Sequence, residues 1–144
     1  MIAVDTNILV YAHRADSPHH NEAYDVVRSL AEGRSSWAIP WPCLHEFLAV
    51  VTSRRIFADP TPISEALDQV DIWLESPTLS TLAEPIGYWP AVRALIERGL
   101  IAGPRVHDAR IAALCITHGV RELLTADRDF GRFPALDVRN PLTG

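Results

Sequence analysis

The sequence predicts an α/β fold: a mainly parallel sheet of four to five strands with helices on both faces. Three observations predict it. Short apolar runs alternate with longer stretches whose apolar residues recur every three to four positions, in the order β, α, α, β, α, α, β, α, α, β, β, and such alternation marks a parallel sheet covered on both sides. Two of the runs, Ile2-Ala3-Val4 and Leu123-Leu124, are unbroken, as suits strands buried on both faces. An acid stands just past each of them, Asp5 and Asp127, where open α/β sheets place their ligands.

Taken in order, the first strand, 2–4, passes into a helix carrying Ile8, Leu9 and Ala12, with Thr6 and Asn7 between as good N-cap types. Ser17-Pro18 starts a second helix, with Ala23, Val26, Val27 and Leu30 on one face and Gly33 closing it. His19 and His20 fall in its exposed first turn and read as solvated. A second strand, 36–39, ends at Pro40, and a helix follows from Cys43 to Arg54 with Leu44, Phe47, Leu48 and Val51 as its apolar stripe. Arg54-Arg55 and Asp59-Pro60 break that helix, and Thr61-Pro62 restarts one with Ile63, Ala66, Leu67, Val70 and Leu74 on one face. A third strand spans 78–82, and a helix over 89–98 ends at Gly99. Beyond the Gly103-Pro104 break, a helix from Val106 to Cys115 puts Asp108, Ile111, Ala112 and Cys115 on one face. Gly119 ends it, and short strands follow over 122–125 and 136–138. No repeat, low-complexity tract or linker divides residues 1–144, so a single domain is expected.

Composition narrows the function classes. With 144 residues and 48% hydrophobic content the chain is an ordinary globular protein. No apolar run approaches a membrane span and the N-terminus lacks a basic lead-in, so no membrane is implied and a cytoplasmic protein is expected. Cys43 and Cys115 are far apart in helical patterns and read as free buried thiols, not zinc ligands. All 13 basic residues are arginine, which excludes chemistry needing a lysine, such as a P-loop or a Schiff base. A net charge of −5 does not advertise a nucleic-acid binder.

The acids carry the chemistry. Asp5 is open to two readings, cap of the following helix or ligand at the sheet's edge. Asp108 is either an N-cap or an acid on a buried face near a helix start, whose amides favour its ionised form. Glu46 borders the wider side of the third helix's stripe and points over the sheet edge or into water. Asp129 suits a turn. In a parallel sheet the strands' carboxyl ends share one edge, which gathers Asp5, Asp127 and the starts of the Asp108 and Glu46 helices. Four carboxylates with no lysine to balance them repel one another; a hard dication with oxygen ligands, Mg²⁺ or Mn²⁺, relieves that repulsion. Carboxylate-held Mg²⁺ is suited to phosphodiester hydrolysis, and it lets a negative protein act on RNA.

Four motifs, in order and at matching spacing, resemble the PIN-domain ribonuclease toxins of the VapC type almost end to end: Val4-Asp5-Thr6-Asn7, Trp41-Pro42-Cys43-Leu44-His45-Glu46-Phe47, Val106 to Leu114, and Thr125-Ala126-Asp127-Arg128-Asp129-Phe130. The resemblance implies a three-layer α/β/α PIN-like fold and a Mg²⁺-dependent endoribonuclease in which Mn²⁺ can substitute. It implies a homodimer, held inactive by a cognate VapB-type antitoxin. Carried over by position, Asp5 and Asp108 are the main metal ligands, Asp127 completes the site, directly or through water, and Glu46 holds a metal or orients the attacking water. Thr6 and Asn7 support Asp5, Thr125 supports Asp127, and Arg110, Arg128 and Arg132 are candidates for RNA phosphates. An apolar antitoxin helix is expected in a groove between the third and fourth helices, near Phe47, Val51, Ile56 and Phe57; Phe47 and Val51 are equally open to a reading as ordinary core, more so than Ile56 and Phe57 beside the helix break.

Other readings fit less well. An inactive partner-binding module has no need of all four acids. A receiver-type site uses a lysine, a haloacid-dehalogenase-like phosphatase wants an aspartate where Asn7 stands, and a dinucleotide site wants a glycine-rich turn in place of Thr6-Asn7.

Overall fold

In the computed structural model, which describes residues 1–142, five strands form one sheet, all pairs parallel, in the order β3-β2-β1-β4-β5. These are β1 (Ile2–Val4), β2 (Trp37–Pro40), β3 (Leu79–Leu82), β4 (Glu122–Leu124) and β5 (Asp137–Arg139). The helices are α1 (Thr6–His13), α2 (His20–Glu32), α3 (Trp41–Val51), α4 (Ile63–Leu74), α5 (Tyr88–Gly99) and α6 (Val106–Thr117). The chain winds outward from β1 to β3, returns through α5 and α6 across the sheet, and continues from β4 to β5 on the far side of β1. Because parallel crossovers are right-handed, reversing the winding puts α5 and α6 on the face opposite α1 to α4. The reversal makes a switch point between the carboxyl ends of β1 and β4, the crevice in which such sheets bind ligands.

β1 is the central strand, and its Ala3 and Val4 are fully buried together with Trp37, Ala38 and Ile39 of β2 and Leu123 of β4. The Trp37 indole donates to Ser76 Oγ at 3.1 Å, and that hydroxyl donates to the Ala31 carbonyl at 3.0 Å, so the largest core side chain leaves no polar atom unpaired. Small residues Ala109, Ala112 and Ala113 let α6 lie close on the sheet.

Several boundaries differ from the sequence pattern, each for a local reason. α1 begins at Thr6, so the N-cap falls on Asp5 and not on Thr6 or Asn7. α2 begins at His20, one turn beyond Ser17-Pro18. His20 is half-buried, its Nδ1 paired with the Tyr11 carbonyl at 3.0 Å, and so is not the solvated residue expected. On α4 the buried residues are Ala66, Val70 and Trp73, while Ile63, Leu67 and Leu74 of the expected stripe are exposed. Trp73 decides the face by packing edge-on against Phe47 with ring centroids 4.8 Å apart. α5 ends with Gly99 still helical, and Leu100 takes the left-handed turn at φ 51°. A Cβ at 99 would lie 2.9 Å from Ile101 Cδ1, the movable tip of a side chain, so a larger residue there asks only for a shift of Ile101.

Candidate active site

Asp5 sits at the switch point and serves both as helix cap and as part of a bonded node. Its Oδ1 accepts from the Thr6 amide at 2.8 Å and from the Cys43 thiol at 3.5 Å. Its Oδ2 accepts from Thr125 Oγ1 at 2.8 Å and, more weakly, from Asn7 Nδ2 at 3.4 Å. Only 7% of the residue is exposed. Burial pushes its carboxyl up, against the pull of Thr125, Thr6 and Cys43. Thr125, 1% exposed, spends its whole hydrogen-bonding capacity here, donating to Asp5 while accepting from Asn7 Nδ2 and the Asp127 amide, both at 3.0 Å. Thus the Thr125 side chain supports the carboxylate of Asp5 and only the backbone of Asp127. The Asn7 carbonyl oxygen accepts from the Ala126 amide at 3.1 Å and staples the first turn of α1 to the loop after β4. Thr6 supports Asp5 through its amide, while its hydroxyl donates to Glu46 Oε2 at 3.3 Å.

Across the crevice stand three half-buried acids, Asp108, Asp127 and Asp129, whose carboxylates each bring an oxygen within 4.8 Å of the others. Asp108 is the third residue of α6, not its cap. Among the described residues none donates a hydrogen bond to its carboxylate. Burial, then Asp127, Asp5, Asp129 and Glu46, push it up to about 6. Asp127 Oδ1 accepts from the Asp129 amide at 2.9 Å, an Asx turn that opens the 3-10 helix 128–132 and swings Asp129 toward Asp108. Arg105 makes an ion pair with one of the trio, 3.8 Å from Asp129. Sequence reasoning gave Asp129 a turn role and missed this placement; the one available signal was its spacing, two residues after Asp127.

Asp5, Glu46, Asp108 and Asp127 line one cleft of about 690 Å³. Glu46 stands exposed at its rim. Arg110 also lines it, with its guanidinium 3.3 Å from Glu84, whereas Arg128 and Arg132 are exposed and lie outside the lining. His107, which had no expected role, is part of the wall. Phe47 and Val51 are fully buried and cannot line the expected antitoxin groove; Ile56 and Phe57 face this cleft instead. Four acids against one paired arginine form an all-oxygen, electrically unbalanced donor set, which suits a hard divalent cation.

Residues 2–136 match the PIN domain family. The chain belongs to the PIN domain family. Among PIN domains it is similar to the VapC ribonucleases: it is 37% identical to ribonuclease VapC43 of Mycobacterium tuberculosis over 144 residues, covering 100% of this chain and 97% of the relative. VapC48 of the same organism is 29% identical over 140 residues, 97% of each chain. This PIN domain is therefore a ribonuclease by family. Among solved structures it resembles the VapBC2 complex of Rickettsia felis bound to a fragment of promoter DNA, with TM-score 0.65 and 27% identity over 97% of this chain and 98% of the other. The M. tuberculosis toxin VapC20, described as cleaving the sarcin-ricin loop, shares the fold at TM-score 0.67, with 18% identity over 91% and 93% of the two chains.

Proposed function

We propose that the protein, acting over residues 1–144 as one PIN domain, is a Mg²⁺-dependent endoribonuclease and the toxin of a cytoplasmic type II toxin–antitoxin pair. The observation that carries this reading is the gathering of Asp108, Asp127 and Asp129 within 4.8 Å of one another, beside the cleft that Asp5 and Glu46 also line. Asp5, Asp108, Asp127 and Glu46 are the residues proposed to act, with Asp129 added from its position. Mg²⁺, or Mn²⁺ in its place, would be held by these oxygens and would supply Lewis acidity toward a phosphate and lower the pKa of water. The chain's own contribution is positioning. Thr6, Asn7, Cys43 and Thr125 fix Asp5 so that one carboxylate keeps its orientation while the others adjust. Glu46, steered by the Thr6 hydroxyl, is exposed enough to receive a proton from an attacking water at the rim. Arg110 is the proposed phosphate contact inside the cleft, and Arg128 and Arg132 are proposed for RNA running past it.

An antitoxin partner is supported by the Rickettsia VapBC2 complex, and a homodimer by the resemblance. Both have apolar surface to use, since Ile63, Leu67 and Ile72 of α4 and Trp89 of α5 are exposed. No helix of the described residues is long and apolar enough to cross a membrane. The decisive experiment incubates purified protein with total RNA in Mg²⁺ and then in EDTA. Cleavage that appears with the metal and stops with the chelator is expected. Cleavage unaffected by EDTA, or absent from wild type across a broad RNA pool, contradicts the reading.

A further inference from the structure

The cleft is larger than its acids require. About 690 Å³ is the size of a small-molecule pocket, and the part remote from the carboxylates is apolar: Val10 and Tyr11 of α1, Val50 of α3, and Ile56 and Phe57 of the loop before α4. Ile56 is 57% exposed although it belongs to this wall. We propose that this apolar arm receives a nucleobase of the RNA next to the scissile phosphate, an inference that rests on the ribonuclease reading and assigns the substrate a second point of contact.

Four features support it. The acid end takes a phosphate only through its cation, and the one arginine in the lining is shared with Glu84 at 3.3 Å, so the rest of the cleft has affinity for RNA to add. Bases present apolar faces to aromatic and aliphatic side chains, and single-stranded RNA is commonly held in that way. The arm is also preset. Arg14 lies over the Phe57 ring, Cζ 4.1 Å from its centroid, and donates to the Asp59 carbonyl at 2.8 Å and to Thr61 Oγ1 at 3.3 Å. The Thr61 amide donates to the Val51 carbonyl at 2.8 Å, and Arg14 Nε and Nη2 each donate to the Asp16 carboxylate. The loop carrying Ile56 and Phe57 is thereby clamped to α1, which lowers the ordering cost of binding. Finally, the arm opens into the carboxylate end. Its occupant must therefore be joined to a group that suits a metal-loaded acid cluster, as a base is joined to its phosphate.

The test uses the Mg²⁺-loaded protein and a single-stranded oligoribonucleotide spanning a site that wild type cleaves. It is compared with the same strand carrying an abasic ribose at each flanking position in turn. For wild type, removing one particular base should lower kcat/KM roughly tenfold or more. In Ile56→Ser and Phe57→Ala the intact strand should be cleaved less well, and removal of that same base should cost less than about threefold, because the base and the arm act together. Ile56→Ser alters an exposed side chain, which keeps the test independent of folding. If both variants keep the full abasic penalty, or wild type pays none at any position, the proposal is overturned. Variants that bind a cognate antitoxin more weakly yet keep the wild-type penalty would make the arm a protein-binding site and overturn it as well. Wild type that cleaves no RNA would defeat the ribonuclease reading first, and this proposal with it.

Discussion

The two sides of the cleft treat their acids differently. On the β1 side Asp5 is almost fully buried, yet four donors from three segments of the chain surround it. On the α6 side Asp108 is only half-buried, but no donor among the described residues reaches its carboxylate and its nearest company is other acids. Protein hydrogen bonds offset part of the burial cost of the first charge; among the described residues no hydrogen bond offsets the second. Asp5 thus belongs to the folded framework, whereas the Asp108, Asp127 and Asp129 cluster is at odds with stability until a cation joins it. A group that the fold leaves uncompensated is a better pointer to chemistry than one that it satisfies.

The largest effect expected from this contrast is on catalysis. Asp108→Asn should lower RNA cleavage at least about a hundredfold, beyond the scale for losing an outer-shell partner of a metal ligand; initial rates at saturating Mg²⁺ check it, and a fall of less than tenfold removes Asp108 from the site. Stability should then separate the two sides by sign. Asp5→Asn turns one carboxylate oxygen into an amide that faces donors already in place, and should cost about 2–3 kcal/mol in urea unfolding. Asp108→Asn in metal-free protein should raise the midpoint, because it removes like-charge repulsion. Equal signs for the two would erase the contrast. Thr125→Val keeps shape while deleting a donor and an acceptor, and about 2 kcal/mol should be lost; a neutral outcome would mean that the Asp5 node is not held by that hydroxyl.

A smaller effect concerns pH. In the folded, metal-free protein Asp108 keeps its proton up to about pH 6, above the ordinary value of 3.8. Folding therefore takes up a proton between those values, and its contribution to stability falls as pH rises through that window. The melting temperature of metal-free protein should rise as pH is lowered from 7 toward 5, and Asp108→Asn should flatten that slope. A wild-type melting temperature that drops over this range would show that other groups govern it.

Much of this was legible in the sequence. The β and α periods, with glycine and proline between them, marked all five strands and six helices, and a mainly parallel sheet followed from the helices that separate most strands; the order of the strands and the parallel pairing of β4 with β5 come from the structure. Asp5, Asp108, Asp127 and Glu46 could be brought to one edge because each lies just past a strand or in the first two turns of a helix. The misreadings share a cause. α4 carries two overlapping apolar stripes, 63–67–74 and 66–70–73, and only the distant ring of Phe47 selects between them. Asp129 looks like a turn residue because it is one; the turn is what aims its carboxylate at Asp108. The clamp of Arg14 on residues 57–61 joins parts of the chain more than forty positions apart, and nothing local announces it.

The contrast between the two sides is tested most directly by metal affinity in the absence of RNA. Mn²⁺ titrated into wild type, Asp108→Asn and Thr125→Val can be followed by the loss of the free-ion paramagnetic resonance signal. Binding by wild type is expected, with at least a tenfold loss of affinity in Asp108→Asn and a smaller one in Thr125→Val. Wild-type affinity in Asp108→Asn, or the greater loss in Thr125→Val, would mean that the cation does not depend chiefly on Asp108 and would contradict the account.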